Sequence, residues 1–322
     1  MPLTLPLILF IVMTELSIGA FTIMIVLDWR NQVKRNFLVT YGIIYLFLTA
    51  LTYLLQQNFS SAELLNTYAQ LDKAWTGYLA PSLLLFLLLG IPYNLLLWLD
   101  RSAGVDDKGQ KKPVQSPLLR LLRLVSGGLV VVAGLITLFV LGMIYRPIAS
   151  TNLGEALTVA TFFAAALAVG GALTAMWLGH WYLVTPALSE KPYLFAVTLV
   201  LIGVLLEVIL AVSVGPTATY ANRPSTPAVT ATATTAVSAA TPTPGGLVKP
   251  TGTPVITPLS TDAIGWLRIL VSFVMPLVFG GLAWKLVRDR SFQSATGMLY
   301  LVVVCTLAGE AFARGLFLAG LQ

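Results

Sequence analysis

The chain has 322 residues, of which 57% are apolar and only 10% charged, and its mean hydropathy is +0.87. Soluble domains carry about 25% charged residues, so this chain cannot cover a water-facing surface. Its formal charge of +6 does not point to nucleic acid, because the basic residues sit in short loops between apolar runs, where they orient helices.

The single cysteine, Cys305, and the single histidine, His180, exclude an intramolecular disulfide, a cysteine metal cluster and a haem held by two histidines of this chain. Apolar runs of about 20 residues, enough to cross a bilayer core of about 30 Å, recur eight times. The alternating segments of about 10 residues that mark a membrane β-barrel do not appear. The expected fold is all-α, a polytopic membrane bundle of eight transmembrane helices.

Span one, residues 4–27, begins almost at Met1 with no basic stretch before it, and reads as a retained helix, not a cleaved signal. It carries Glu15 near its middle. Ser17 and Gly19 in the same segment allow close helix approach. Span two is 37–56. Span three, 75–98, contains Pro92, which frees a backbone carbonyl, followed by Tyr93 and Asn94. Those two serve either local hydrogen bonding at a kink or a second polar pocket nearer the cytoplasm. The charged loop from Asp100 to Pro117 is too short for a domain. It reads as a solvated loop whose lysines meet anionic lipid head groups.

Spans four (119–144) and five (156–185) are dense in small residues, "GGLVVVAG" and "AAALAVGGALTAM", which suit tight helix packing. Span five ends in "AMWLGHWYLVTP", where Trp177, His180, Trp181 and Tyr182 form either an interfacial aromatic belt or a cytoplasmic-side site in which His180 exchanges protons. Span six is 193–214 and holds Glu207. Residues 216–262 are rich in Thr, Ala and Pro and nearly uncharged; nothing there can bury a core. The stretch reads as a disordered external linker, either a tolerated insertion or a tether for an external partner. Spans seven (263–286, with Arg268 and Pro276) and eight (294–318, with Glu310 and Arg314) close a single membrane domain, made of residues 1–215 and 263–322 and interrupted by the linker.

Basic residues set the orientation. Arg30, Lys34 and Arg35 follow span one; Arg101, Lys108, Lys111, Lys112, Arg120 and Arg123 surround the loop after span three. Lys191 follows span five, and Lys285, Arg288 and Arg290 follow span seven. These are 13 of the 19 lysines and arginines, all on one side, so the positive-inside rule puts both termini outside.

Ionisable groups within spans are costly, by roughly 3 kcal/mol on insertion scales, so each needs a reason. Five stand well inside: Glu15, Glu207, Arg268, Glu310 and Arg314. The topology puts the last four in one band near the outer face, where the formal signs cancel. One reading is a set of interhelical ion pairs, with Arg314 snorkelling to the head groups. The other is a polar pocket that binds the head of a quinol and takes up its protons, a task suited to a carboxylate. No Walker loop, nucleophile elbow, dinucleotide fingerprint or metal-ligand spacing is present.

The first span, "LILFIVMTELSIGAFTIMIVL", and the last, "AGEAFARGLFLAG", with an acid ahead of a Gly/Ala-Arg-x-x-Phe pattern, resemble the membrane anchor subunit of dimethyl sulfoxide reductase and, more distantly, the polysulfide reductase membrane subunit. The resemblance implies an anchor without haem or metal that binds menaquinol close to an iron–sulfur subunit, which in turn serves a molybdopterin catalytic subunit. Glu15, Glu310 and Arg314 are the positions that match the family's motifs. A Ser-Trp-Leu-Ser-Arg-like loop typical of such anchors is absent here, and the linker at 216–262 is not among their usual features.

The sequence thus leads to a non-catalytic, quinol-binding anchor subunit in a bacterial cytoplasmic membrane. Its site residues would be Glu207, Arg268, Glu310, Arg314 and Glu15, with a separate cytoplasmic-side site at His180, Tyr93 and Asn94. A membrane transporter, or a structural or assembly protein without a ligand, stays open beside it.

Overall fold

In the computed structural model every apolar run is a helix. The structure describes residues 4–319 except 107–108, 111, 114–115, 150, 187 and 215–265, so the linker expected at 216–262 lies outside the described residues. The helices are α1 (Thr4–Arg30), α2 (Arg35–Phe59), a single turn α3 (Ala62–Leu65), α4 (Lys73–Leu99), α5 (Pro117–Tyr145), α6 (Asn152–Val184), α7 (Lys191–Val214), α8 (Trp266–Arg288) and α9 (Phe292–Ala319). All except α3 are long and apolar enough to cross a membrane. There is no strand among the described residues, only an isolated bridge from Lys34 to Gly104 and Val105.

Most helices run a turn or less past the apolar spans, because their ends are set by capping and not by hydropathy. The Ser116 hydroxyl accepts from the Leu119 amide just ahead of Pro117. Thr151 accepts from the Gly154 amide, with Glu155 in the first turn. Asp72 accepts from the Ala74 amide. Each satisfies an amide that has no partner inside the helix, and Pro at the first helical position loses nothing.

The long helices pack as two rings of four. In the first, α1 meets α2, α2 meets α4, α4 meets α5, and α5 returns to α1; in the second, α6, α7, α8 and α9 meet in the same cyclic order. The rings join through α1 on α6, α1 on α9 and α5 on α6. Exchanging the first ring for the second leaves this whole pattern unchanged. The two central helices are accordingly the most enclosed: 78% of the apolar window of α1 and 56% of that of α6 are buried, against 22% for α8. The outer wall is apolar, with Phe47, Leu54, Trp98, Ile209 and Val212 among its exposed side chains. Such a wall is unfavourable against water and suits contact with lipid tails.

Small residues allow the central pair to close. A Cβ at Gly19 of α1 would collide with the Ala166 carbonyl of α6, and one at Gly170 would collide with the backbone of Gly19 and Ala20. The Gly- and Ala-rich run of span five is thus an interface in which backbones touch. Nearer the opposite membrane face, Tyr45 of α2 hydrogen-bonds Thr174 of α6 at 3.0 Å, and the Trp177 ring lies 5.2 Å from that of Tyr41.

The prolines inside spans three and seven are accommodated differently. Pro92 does not interrupt span three: α4 continues through both Pro81 and Pro92, and the Asn94 amide supplies a local bond to the Gly90 carbonyl at 2.8 Å. In span seven the departure from α-helical pairing precedes Pro276. Residues Ile269–Val274 form a π-helical turn, and the regular helix resumes at Met275. Wider i→i+5 pairing of this kind is one way a helix absorbs an irregularity, and it recurs at functional sites.

Replacing Gly170 by Leu should separate α1 from α6. The expected cost is at least the roughly 1–3 kcal/mol of an overpacked core, read as a lower unfolding temperature of the detergent-solubilised protein, whereas Gly281→Leu, at a position with open space around it, should leave that temperature unchanged.

Candidate functional site

Glu310 and Arg314 lie one turn apart on α9, so their side chains leave the same face. Arg314 Nε is 2.6 Å from Glu310 Oε1. The other end of the guanidinium donates to Glu15 Oε1 of α1. All three side chains are buried, Glu15 completely. From α6, the Phe162 ring stands 4.0 Å under the guanidinium and the Thr161 hydroxyl accepts from it at 3.5 Å. Arg314 therefore does not snorkel to the surface. It is held in the interior by two carboxylates and a ring face, because its nearest opposite charges are on α1 and on its own helix.

Glu207 of α7 is half-buried and within charge-interaction range of Glu310, Arg314 and Arg268. Arg268 stands immediately ahead of the π turn of α8, and its guanidinium faces the Phe273 ring at 5.7 Å. Within that turn Ser272 packs directly against Gly309, the neighbour of Glu310. Tyr145, at the end of α5, lies with its ring 6.0 Å from Phe162 on one side and 6.0 Å from Phe317 on the other. Six helices thus contribute to one polar cluster. Glu15 is near the midpoint of α1, so the cluster reaches deeper than the outer band expected for its other members.

What this arrangement can do follows from which atoms lack partners. Glu15 Oε2, Glu207 Oε1, the Ser272 hydroxyl and the Tyr145 hydroxyl are enclosed without a hydrogen-bond partner. The first two are acceptors only when ionised, so the site calls for hydrogen-bond donors from a ligand or from water. Arg314 is ion-paired with both carboxylates, although its Nε makes no aligned hydrogen bond to Glu310. No group of three His, Cys, Asp or Glu side chains among the described residues is arranged to hold a metal ion.

The cytoplasmic-side residues do not form one site. His180 is exposed on α6. Asn94 is partly buried, with its side chain against Gly42 of α2. Tyr93 is fully buried in the first ring, where its hydroxyl donates to Asp28 Oδ2 at 3.2 Å. No hydrogen bond or ring contact links His180 to either of the other two among the described residues.

Tyr93 belongs to a second ionic network at the end of the bundle where α1 finishes and α5 begins. Arg123 of α5 pairs with Asp28 Oδ2 of α1 at 3.4 Å and with Asp100 Oδ2 at 3.0 Å, all three side chains being at most 2% exposed. Asp100 Oδ1 accepts from the amide and hydroxyl of Ser102 at 3.0 and 2.6 Å. Arg35 of α2 donates to the carbonyls of Trp98 and Asp100 at the end of α4. Gly104, at φ +73°, lies where a Cβ would meet the backbone of Val33, and its amide donates to Asn31 Oδ1 at 2.8 Å. Residues 102–105 are consequently buried, so the start of the loop that the sequence suggested was solvated is tucked beneath the first ring.

Sequence reasoning missed this network. Asp28 falls one residue past the expected end of span one, and Arg123 was counted among the loop bases. An acid beside Arg30 looks like part of an ordinary charged helix end. It also missed Tyr145, Thr161, Phe162 and Ser272, whose types are common in any apolar helix.

Compared with protein-family models, curated proteins and solved structures, the chain matches none.

Removing one partner of a buried ion pair leaves an uncompensated charge and costs about 3–5 kcal/mol. Arg314→Gln and Arg123→Gln should each destabilise the protein by that amount. Glu190→Gln, which breaks an exposed pair with Arg290 at 2.9 Å and leaves the bonds of Arg290 to the Pro186 and Leu188 carbonyls in place, should cost less than about 1 kcal/mol. Unfolding temperatures of the three purified variants check the ranking.

Proposed function

We propose that this multi-pass membrane protein is the anchor subunit of a respiratory oxidoreductase in a bacterial cytoplasmic membrane. In this reading it binds menaquinol at the Glu15–Arg314–Glu310 cluster, on the outer side, and passes the quinol's electrons to an iron–sulfur partner that serves a molybdopterin catalytic subunit. The observation that supports it is the pair of enclosed carboxylate oxygens without donors, Glu15 Oε2 and Glu207 Oε1. A quinol head presents two hydroxyl donors, whereas the oxidised quinone presents only acceptors. As the quinol gives up two electrons to the iron–sulfur partner it also loses two protons, and a carboxylate within hydrogen-bond reach accepts a proton efficiently. The resemblance of the first and last spans to the dimethyl sulfoxide reductase anchors agrees with this role.

A second reading, a transporter, draws support from the repeated ring of four helices. Parallel repeats related by an axis along the membrane normal occur in transporter folds, with the substrate site at the boundary between repeats. The Glu15–Arg314 pair spans that boundary, α1 to α9.

In membranes containing the assembled complex, Glu207→Gln, which removes one of the two enclosed acceptor oxygens, should lower quinol-driven electron transfer by about 10²-fold while the protein inserts at the normal level. Electron transfer at the wild-type rate in that variant would sink the quinol role and leave the transporter reading.

A further inference from the structure

Most hydroxyls inside this bundle are satisfied by their own helix. Those of Thr14, Thr49, Thr137, Thr296 and Thr306 each donate to a carbonyl three or four residues back, a local bond open to any Ser or Thr in an α-helix. Ser272 of α8 departs from this. Its side chain is 4% exposed, and among the described residues its hydroxyl has no partner. Ser272 stands within the π turn, where pairing runs one residue wider, as when the Met275 amide donates to the Leu270 carbonyl. The carbonyls that a hydroxyl reaches in an α-helix are displaced in such a turn.

The turn also aims Ser272 inward. Ile269, Leu270 and Val274 around it are exposed on the outer wall. Ser272 instead lies against Gly309 of α9, where a Cβ would collide with both its hydroxyl and its Cα. Gly309 is the residue before Glu310, so the missing side chain leaves room for the hydroxyl at the edge of the cluster. The π turn thus stands between the charged cluster and the lipid.

Chemistry separates this hydroxyl from the other enclosed oxygens. Glu15 Oε2 and Glu207 Oε1 lack partners as well, but an ionised carboxylate only accepts. Those two suit the hydroxyls of a quinol and not the carbonyls of the oxidised quinone. A serine hydroxyl donates as well as accepts, and an enclosed one without a partner calls for a ligand or a water to complete it.

We propose, on the quinol reading above, that Ser272 is a binding residue of this site. Its hydroxyl donates to a carbonyl oxygen of the oxidised quinone, so that the cluster holds both redox forms of its ligand. The π turn is the device that frees the hydroxyl for this contact.

The test is direct binding of a menaquinone with a single isoprene unit, oxidised or reduced, to the full chain in detergent. Wild type binds both forms. Ser272→Ala weakens binding of the oxidised form by about five- to tenfold, the worth of one hydrogen bond, and weakens the reduced form less. Its unfolding temperature without ligand is not lowered, because the lost hydroxyl bonded nothing. Thr306→Ala, which removes a buried hydroxyl spent on the Val303 carbonyl, leaves both affinities unchanged. If Ser272→Ala binds the oxidised form as wild type does, or if Thr306→Ala weakens it equally, the role of Ser272 falls while the quinol reading stands. A ligand-free unfolding temperature lowered by several degrees in Ser272→Ala also overturns it, since the hydroxyl would then serve the fold. Wild type that binds neither form removes the quinol reading and the role of Ser272 together.

Discussion

One guanidinium organises the bundle. Arg314 cannot shed its charge, and lipid cannot solvate it, so it must be surrounded by acceptors. Glu310 is available from its own helix one turn away, but a second carboxylate has to come from elsewhere, and α1 supplies it. The Glu15–Arg314 bond ties the first ring of helices to the second and fixes the rotation of α1 and α9 about their axes. It is compatible with the rest of the packing only because α1 and α6 approach at Gly19 and Gly170 until their backbones touch, which brings Phe162 and Thr161 of α6 within reach of the same guanidinium.

The two rings share one pattern of helix contacts but put their charges at opposite ends. In the first ring, Asp28, Asp100 and Arg123 gather beneath the helices and hold the start of the 100–117 loop inward. In the second, Glu207, Glu310 and Arg314 gather toward the end where α1 begins and α9 finishes. Two helices belong to both clusters, α1 through Glu15 and Asp28 and α5 through Tyr145 and Arg123, and of these α1 contributes a carboxylate to each. The π turn of α8 marks a further difference between the rings: its counterpart in position, α4, stays α-helical through two prolines. The turn packs Ser272 against Gly309 beside the cluster, so the irregular backbone lies where the polar side chains are.

The buried networks differ in energetic character from the ion pairs at the surface. Arg290 and Glu190 meet where water competes for both, and such a pair contributes little. Arg123 and Arg314 are each shared between two carboxylates in a dry interior. Such groups add little stability over an apolar replacement, yet removing one partner is costly, so they act as devices that specify one arrangement of helices. That is the property a site spanning several helices requires.

The amino-acid sequence by itself determined the eight spans, their approximate limits, the close-packing segments of α1, α5 and α6, and the identity of five ionisable residues within the membrane. Each of these follows from local quantities: the transfer free energy of a run of side chains, the size of a residue, and the cost of a charge in hydrocarbon. Tertiary structure alone decided that Glu15 is the partner of Arg314 and does not stand apart from the cluster. It likewise decided that Tyr93 belongs to Asp28 and Arg123 while His180 faces outward, and that the break in span seven is a π turn ahead of Pro276. Those outcomes depend on which helices are neighbours and how each is rotated about its axis. Contacts between residues as far apart as 15 and 314 settle both, and no window of sequence contains the two of them.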